Sequence, residues 1–388
     1  MNKLEKLIAK LCPNGVEYKE LENISSYRRG SFPQPYTNIN YYGGEGAMPF
    51  VQVADMLDNS FLLSEKTKQT ISVLAMKKSV FVKTGTVLVS IQGTIGRVAI
   101  AQYDSYVDRT ILIFNYIDDK INKKYFAYIL KQKFEYEKNF ARGSTLKTIT
   151  KEELSKFKIP IPPMEVQEEI VRILDKFTEL TAELTAELTA RKKQYEFYRD
   201  KLFIFDSFVK KIKLSEIADI GTGSSNTNAA EEGGKYPFFV RSQEPLRKST
   251  YEYDEKAIIT AGDGVGVGKV FHYIEGKYAL HQRAYRIHVN TPGVISKYLF
   301  YYMKTTFLSY IQKTVFHGSV SSIRRPMLEQ FPVPVPPLEE QKRIVEILDR
   351  FDKLCNDLTE GLPAEIETRK KQYEYYRDKL LTFNEIRN

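Results

Sequence analysis

Apolar and polar positions form their clearest pattern in two long stretches of the chain. In each stretch apolar residues recur at steps of three and four, which is the spacing of one face of an α-helix. The first stretch contains Ile170, Ile173, Leu174, Phe177, Leu180, Leu184, Leu188, Tyr195, Tyr198 and Leu202. The pattern predicts a helix over residues 164–203, about 60 Å long at the standard rise.

A second stretch has the same spacing and predicts a second long helix. Its apolar positions are Ile344, Ile347, Leu348, Phe351, Leu354, Leu358, Leu362, Ile366, Tyr373, Tyr376 and Leu380. Gly361 and Pro363 interrupt it, so we expect a kink or break near these residues. A helix this long needs a partner for its apolar face, and the two helices are expected to pack antiparallel as a coiled coil.

These helices belong to a segment that occurs twice in the sequence. Ile-Pro-Ile-Pro-Pro-Met-Glu-Val-Gln at 159–167 is repeated as Val-Pro-Val-Pro-Pro-Leu-Glu-Glu-Gln at 333–341, and Arg-Lys-Lys-Gln-Tyr begins both 191–202 and 369–380. The proline runs must be extended, so each helix should begin just after its run. A duplication this close implies two matching halves that can sit around a pseudo-two-fold axis.

The segments between the repeats predict two mixed domains of similar plan. Residues 86–91 and 257–260 have the composition of strands, and residues 123–140 and 296–315 that of helices. The predicted fold class is therefore α+β, with an internal repeat and two globular domains separated by long helices. We place the first domain at 1–158, the first proline run and helix at 159–205, the second domain at 206–332, and the second run and helix at 333–388.

The charge distribution changes this picture by suggesting what the globular domains bind. The chain has a net charge of +9, made up of +6 over residues 15–158, +5 over 206–332, +2 over 1–14 and −2 in each repeated segment. Two basic domains joined by slightly acidic helices are expected if both domains meet a polyanion. The two cysteines cannot form a disulfide framework, and no apolar run approaches the ~20 residues that cross a bilayer. A cytoplasmic protein without a membrane segment is expected.

The sequence offers little that suggests catalysis. The glycine-rich run at 262–269 has Asp263 where a phosphate-binding loop needs glycine and Val270 where it needs Ser or Thr, so we interpret it as a turn between two strands. Neither Pro-Pro pair forms the Asn-Pro-Pro-Tyr or Asp-Pro-Pro-Tyr motif of amino-methyltransferases. The four histidines have no partners at metal-ligand spacing, so neither a metal nor an enzyme activity is expected. They are His272, His281, His288 and His317.

Side chains that suit nucleic acid are present in both domains, and the arginines of the first domain lie at positions that we predict to be turns. Arginine pairs with guanine, Gln and Asn pair with adenine, and Lys, Ser and Thr bind phosphates. The candidates in the first domain are Arg28, Arg29, Gln92, Thr94, Arg97, Arg109, Arg142, Ser144 and Lys147. Those in the second domain are Arg241, Gln243, Lys269, His281, Gln282, Arg283, Ser319, Arg324 and Arg325.

The duplicated blocks, together with the Thr-Ala-Glu-Leu tandem at 181–188, resemble the specificity subunit of type I restriction-modification systems. The resemblance covers essentially the full length, and it is most specific in the long helices. It implies that each globular domain is a target-recognition domain that reads one half of a bipartite, asymmetric double-stranded DNA sequence. It further implies that the copy number of the tandem unit sets the spacer between the half-sites.

The resemblance also implies which partners act with this chain. The helices would dock two modification subunits, which hold S-adenosylmethionine and methylate adenine, and restriction subunits can join such a complex. This chain would then need no cofactor of its own and would not be an enzyme. Two alternatives remain at this point. One is a DNA-binding adaptor or inactive remnant that recruits another partner through its coiled coil, and the other is a self-sufficient methyltransferase, which the missing motif disfavours.

Overall fold

The computed structural model describes residues 3–58, 60–140, 151–314 and 322–386, and it divides the chain into two compact units. The first unit comprises Met1–Thr185 and Ile366–Asn388, and the second comprises Ala186–Glu365. Each unit thus combines one globular domain with helical segments from both copies of the repeat. The four segments predicted from the sequence separate each globular domain from the long helices, whereas the two units each contain both. Our four-part division of the chain therefore remains a prediction.

The first globular domain consists of two four-stranded sheets and helices that precede and follow them. Its elements are α1 (Lys3–Leu11), β1 (Glu17–Glu20), α2 (Leu21–Ile24), β2 (Ser25–Arg29), β3 (Met48–Val51), β4 (Gln69–Ile71), β5 (Val80–Val82), β6 (Val87–Ser90), β7 (Val98–Ile100), β8 (Ser105–Val107), β9 (Ile111–Ile117), α3 (Lys123–Phe140), α4 (Lys151–Ser155) and β10 (Lys158–Ile161). Short 3-10 turns occur at Ile39–Tyr41, Val53–Asp55 and Met76–Lys78. The strand orders are β2-β9-β6-β7 and β4-β3-β8-β5, and β1 pairs with β10.

Strand β6 has consecutive apolar residues because both faces of its sheet are covered. Val87 and Val89 pack into the core cluster that contains α3, whereas Leu88 packs into a separate cluster on the opposite side of the sheet. Successive side chains of a strand point to opposite faces, so a strand covered on both faces must be apolar at every position.

The rest of the chain contains the long helices and the second globular domain, which has a six-stranded sheet. In chain order the next elements are α5 (Met164–Leu202), β11 (Lys211–Lys213), α6 (Leu214–Ile217), β12 (Ala218–Thr222), β13 (Tyr236–Phe239), β14 (Leu246–Lys248), β15 (Tyr253–Ala261), β16 (Phe271–Leu280), β17 (Ala284–Val289), α7 (Ser296–Thr314), α8 (Arg325–Glu329), β18 (Pro332–Pro334), α9 (Leu338–Asn356) and α10 (Leu362–Leu380). A 3-10 turn lies at Thr227–Ala229. The sheet order is β12-β17-β15-β16-β13-β14, and β11 pairs with β18.

The two domains share the plan that the sequence predicted. The order β12-β17-β15-β16 repeats the order β2-β9-β6-β7, and in both domains a helix (α3 or α7) follows the last strand of this set. The predicted strands at 86–91 and 257–260 and the predicted helices at 123–140 and 296–315 are confirmed. The α+β class, the internal repeat and the long helices are confirmed as well.

A buried glutamine in each repeat explains why the block after the prolines is kept in both copies. The Gln167 side chain donates to the Pro162 carbonyl at 2.7 Å and accepts from the Asn122 backbone N–H at 2.8 Å. Gln341 donates to the Pro336 carbonyl at 2.8 Å and accepts at 2.9 Å from the loop before α7. Each glutamine therefore ties the proline run to the globular domain that precedes it, using polar groups that burial would otherwise leave unpaired.

An aspartate that follows Ile-Leu in both copies of the repeat, at 173–175 and 347–349, makes a second connection to the globular domains. Asp175 on α5 accepts hydrogen bonds from Lys124 at 2.7 Å and from Tyr128 at 2.8 Å, both on α3. Asp349 on α9 accepts the matching pair from the corresponding lysine and tyrosine of α7, at 2.9 and 2.6 Å. The repeat thus preserves contacts to the globular domains as well as helix-to-helix contacts.

The two long helices differ in continuity, as the sequence predicted. The first, α5, is unbroken from Met164 to Leu202, whereas the second is divided into α9 and α10. Between them the Asp357 carboxylate accepts from the Thr359 backbone N–H at 2.7 Å and closes a turn. A β-carbon on Gly361 would lie 2.6 Å from the Lys353 carbonyl oxygen, so only glycine fits there.

Segments of the long helices pack antiparallel within each unit. In the second unit Tyr198 of α5 stacks on Phe351 of α9. Burial raises the pKa of the Cys355 thiol, later in α9, and the charge of Lys192, earlier in α5, acts on that thiol in the opposite direction with a smaller effect. In the first unit Tyr376 of α10 stacks on Phe177 of α5 with ring centroids 5.3 Å apart. Phe177 and Phe351 occupy the same position of the repeat, as do Tyr198 and Tyr376.

Residues near the end of the chain complete the first unit. The Val16 backbone N–H donates to the Asn384 carbonyl at 2.8 Å, and the Ile386 N–H donates to the Val16 carbonyl at 3.1 Å. On α10, Arg377 has only 7% of its side chain exposed and forms an ion pair with Glu135 of α3. The core of the first globular domain is therefore closed by a segment that lies more than 200 residues later in the sequence.

Candidate nucleic-acid interface

In the first domain, the candidate residues gather where the strands β2, β6 and β9 meet at one end of the sheet. The Gly30 N–H, just after β2, donates to the Ile111 carbonyl at 2.9 Å, and the Ile91 N–H, just after β6, donates to the Thr110 carbonyl at 2.9 Å. We call residues 28–31, 91–97 and 108–110 the first loop cluster. It brings together Arg28, Arg29, Gln92, Thr94, Arg97 and Arg109.

Arg109 is held outward by the turn that carries it. The buried Asp108 carboxylate accepts from the Thr110 N–H at 2.9 Å and from the Thr110 hydroxyl at 2.6 Å, which fixes the turn between β8 and β9. The exposed Arg109 guanidinium lies 4.6 Å from the centre of the Phe32 ring. A planar guanidinium supported on an aromatic face keeps its donors available for another partner.

Arg28 and Arg29 do not lie in a turn, and that part of the prediction is wrong. Both are exposed residues of strand β2, paired with Ile113 and Leu112 of β9. The following Gly30 suggested a turn, but glycine is required there because a β-carbon would lie 2.3 Å from the Asp108 carbonyl oxygen. Adjacent strand residues point to opposite faces, so only one of the two arginines can face any given ligand.

Arg97 is engaged within its own domain. Its guanidinium donates to the carbonyls of Val53 and Met56 at 3.0 and 3.1 Å and to the Asp58 carboxylate at 2.7 Å. These bonds hold the segment that follows β3. The sequence identified the residue but not this role, because its partners lie about 40 residues earlier in the chain.

In the second domain, a corresponding set of loops meets at the end of β15. The Gly262 N–H donates to the Arg283 carbonyl at 2.9 Å, the Gln282 N–H to the Ser225 carbonyl at 2.8 Å, and the Ile323 N–H to the Gly262 carbonyl at 2.7 Å. We call residues 223–226, 241–243, 262–269, 281–283 and 322–325 the second loop cluster. Its exposed candidates are Gln243, Lys269, Gln282, Arg283, Arg324 and Arg325.

Two glycines confirm that the glycine-rich run is a turn between strands. Gly268, between β15 and β16, has φ +68°, and a β-carbon on it would lie 2.8 Å from the Ile311 side chain of α7. Gly96, between β6 and β7, has φ +81°, and a β-carbon there would lie 2.6 Å from Phe134 of α3. Both turns therefore pack directly on the helix that follows the sheet, and glycine suits the positive φ and the close contact.

Asp263, which in the sequence appears only as a mismatch to a phosphate-binding loop, lies at the centre of the second loop cluster. The Asp263 carboxylate accepts from Arg241 at 2.7 Å through Oδ1 and from Arg283 at 3.1 Å through Oδ2. Partial burial raises the pKa of Asp263, but hydrogen bonds from Arg241 and Arg283 outweigh it, so that pKa lies below its ordinary value. Asp263 is charged at neutral pH and holds the two guanidinium groups beside each other.

His281 and Arg325 are also occupied by intramolecular contacts. The buried His281 ring accepts the Arg283 N–H at Nδ1 (2.9 Å), and its Nε2 lies 3.3 Å from the Asn226 side-chain oxygen. Burial lowers the pKa of His281, so the ring is neutral and orders the loop. Arg325 pairs with Glu329 at 2.9 Å. Four further candidates, Arg142, Ser144, Lys147 and Ser319, lie outside the described residues.

Within the described parts of the chain, no group of three or more His, Cys, Asp or Glu side chains is arranged to hold a metal ion. In the same parts, every helix is too short or too polar to cross a membrane.

Comparison with known proteins gives a consistent result. A family model described as the type I restriction modification DNA specificity domain matches residues 13–191 and again 207–368. A specificity subunit of a type I restriction enzyme from Escherichia coli is 39% identical over 261 residues, covering 59% of this chain and 64% of that protein. A provisionally assigned type I specificity subunit from Haemophilus influenzae is 34% identical over 291 residues, covering 69% of this chain and 74% of that protein.

Two solved structures share the fold over almost the whole chain. A type I restriction-modification S subunit from M. genitalium matches with a TM-score of 0.60 and 16% identity, covering 95% of this chain and 96% of that one. A chain from a structural study of complex assembly and conformational transition in a type I restriction-modification system matches with a TM-score of 0.64 and 15% identity, covering 95% and 98%.

Proposed function

Because this chain belongs to the family of type I restriction-modification DNA specificity proteins, we propose that it reads a bipartite DNA target, one half-site with each globular domain. The observation that supports this proposal best is the pair of loop clusters. They are built by corresponding strand ends in the two domains, yet they carry different side chains. Two half-sites of different base sequence are therefore expected.

The charge distribution of the two domains supports the proposal that both bind DNA. Residues 15–158 carry +6 and residues 206–332 carry +5, whereas the repeated segments are slightly acidic. Positive charge confined to the two domains lets phosphate contacts position both of them on one duplex, and base contacts then supply sequence specificity. Exposed side chains able to make such contacts include Arg29, Thr94, Arg109, Gln243, Lys269, Gln282 and Arg324, and Gln92 is half-buried beside them.

We further propose that the long helices dock two modification subunits, which supply S-adenosylmethionine and the methyl transfer. Each copy of the repeat presents the same exposed aromatic pair, with Phe197 55% exposed and Tyr375 63% exposed beside Tyr198 and Tyr376. Exposed aromatic side chains on rigid helices are typical centres of protein interfaces. The same surface displayed twice suits two copies of one partner. The methyl transfer is expected to take place on those partners.

The docking surface can be tested with one variant in each copy of the repeat. Phe197→Ala and Tyr375→Ala should each weaken one of the two binding events by about 30-fold, which corresponds to about 2 kcal/mol for a central aromatic residue. Calorimetric titration with the modification subunit measures both affinity and stoichiometry. Tyr116→Ala, which removes an equally exposed aromatic from β9, is the matched control. Unchanged binding in both repeat variants would contradict the proposed surface.

The helices are also proposed to set the spacing between the half-sites. A four-residue insertion in α5 advances the helix by about 6 Å with a net rotation near 40°. One DNA base pair rotates the duplex by about 34–36° and advances it by about 3.4 Å. Adding one Thr-Ala-Glu-Leu unit beside Thr185 should therefore lengthen the spacer by one base pair, as measured by mapping methylated sites. A target with an unchanged spacer would argue against this role.

The proposed function itself is tested by expressing this chain with its modification subunit and mapping methylated adenines across the genome. The expected result is one asymmetric sequence in two parts separated by an unread spacer. Methylation of a single contiguous sequence would overturn the proposal. DNA binding with no effect of the modification subunit would favour the adaptor alternative instead.

A further inference from the structure

Asp263 lies in the second loop cluster at a position that matches that of Gln92 in the first loop cluster. It follows β15 directly after Gly262, whose N–H is bonded to the carbonyl of the residue before β17. In the first domain the residue at the corresponding place, after β6 and Ile91, is Gln92. The strand ends therefore present an acceptor-bearing side chain at matching positions of the two domains, an amide in one and a carboxylate in the other.

We propose that Asp263 determines base specificity in the second half-site by accepting a hydrogen bond from the amino group of a cytosine. This inference deepens the proposed function and rests on it. It assigns an acidic side chain, in a basic domain, to direct contact with a polyanion.

The hydrogen-bonding capacity of Asp263 allows this contact. Each of its carboxylate oxygens accepts one arginine bond, from Arg241 at Oδ1 and from Arg283 at Oδ2, and a carboxylate has about four acceptor positions in all. A quarter of the side chain is exposed. Asp263 can therefore keep both arginines and still accept one more donor from a ligand.

The charge of Asp263 determines which group of the DNA can donate a hydrogen bond to it. A phosphate oxygen would be repelled by the carboxylate, and the acceptor edge of guanine offers it no donor. The amino group of cytosine is the donor that Asp and Glu accept in the major groove. The two arginines beside Asp263 supply the complementary donors for the paired guanine, so a C·G pair is the base pair that this cluster fits.

Asp263 also orients the two arginines that it binds. Arg241 and Arg283 come from different loops, and the shared carboxylate holds their guanidinium groups within one small site. An arginine that is already oriented loses less conformational entropy when it binds a base. Asp263 thus acts on specificity both by its own contact and by fixing its two neighbours.

Asp263→Asn tests the inference in the assembled complex of full-length chain and modification subunit. We expect the methylation map to change at one position of the second half-site, where preference for cytosine falls by about 10-fold or more and adenine becomes acceptable, since asparagine pairs with adenine. The first half-site and the spacer should be unchanged. If the variant fails to fold, Asp263→Glu, which retains the charge but displaces the carboxylate, should show the same local loss of discrimination.

Two matched controls separate a base contact from a structural role. Asp219→Asn makes the same change on β12 of the same domain, where the carboxylate pairs with Arg286, and should leave every base preference intact. Gln92→Ala should alter the first half-site only. An unaltered second half-site in both Asp263 variants, or an equal loss at all of its positions, would overturn the inference. Absence of a bipartite target in the unaltered complex would instead overturn the proposed function.

Discussion

Replacing residues 25–117 with the corresponding segment of another member of this family should change the first half-site and leave the second half-site and the spacer unchanged. This segment begins with β2 and ends with β9, so it contains both four-stranded sheets of the first domain and the whole first loop cluster. Each mismatched base pair costs about 1–3 kcal/mol of binding free energy, and a changed half-site contains several mismatches. Methylation of the original target should therefore fall by about a thousandfold. Genome-wide mapping of methylated adenines measures all three parts of the target together.

The boundaries of this exchange follow from the contacts of the repeats. Within the described parts of the chain, the hydrogen bonds that Gln167, Asp175, Arg377 and Asp378 make to the first domain involve residues 120–135, which the exchange leaves in place. Exchange of all of residues 15–158 replaces these contacts too, together with Arg142, Ser144 and Lys147. A target with changes in both half-sites after either exchange would refute the hypothesis that each domain recognises one half-site independently. A first half-site of mixed origin after the narrower exchange would show that the segment following α3 also reads bases.

Arg377→Ala should destabilise the first unit by about 2–3 kcal/mol, because it removes a buried guanidinium together with its charged hydrogen bonds to Glu135 and Asp378. Arg377 also donates to Asp378, whose carboxylate accepts from Gln132 of α3 at 3.0 Å. Removal of the guanidinium therefore disturbs a set of four polar groups between α3 and α10. Hydrogen exchange resolved by peptide measures the effect separately in residues 3–140 and 211–356.

The repeat provides the control for this substitution. Arg199 holds the same position in the first copy, but its side chain is 26% exposed and its ion pair is with the neighbouring Asp200. The effect of Arg199→Ala on stability should stay below about 1 kcal/mol, as for other exposed pairs. Equal destabilisation by the two variants, or loss of protection confined to the second unit in Arg377→Ala, would contradict this account.

The long helices could be predicted closely because their signal is local and repeated. Period-three and period-four apolar positions gave α5 to within one residue at its end, and Gly361 with Pro363 gave the break between α9 and α10. The glycine-rich run was recognised as a turn because it lacked the residues of a phosphate loop. Such features depend on residues a few positions apart, where backbone geometry leaves few alternatives.

The candidate site was predictable only in part, because its geometry depends on distant pairings. Composition and charge indicated the residue types, but Arg97 is bound by a segment about 40 residues away and Arg241 meets Asp263 across 22 residues. The sequence showed Asp263 only as a residue that does not fit a phosphate-binding loop, because its two arginine partners are distant in the chain. A comparison of the residues at the ends of β6 and β15 identifies it, and that comparison requires the strand pairing.

The position of α10 in the first unit has a consequence for how this protein is made. On the ribosome, residues 186–365 emerge before α10, so every segment of the second unit is available before the first unit can close. The domain that is translated first must therefore wait with part of its core, including the surface around Glu135, uncovered. We therefore expect the first unit to be completed after the second, and the surface that α10 covers on the first domain to stay accessible to proteases and chaperones until α10 has left the ribosome.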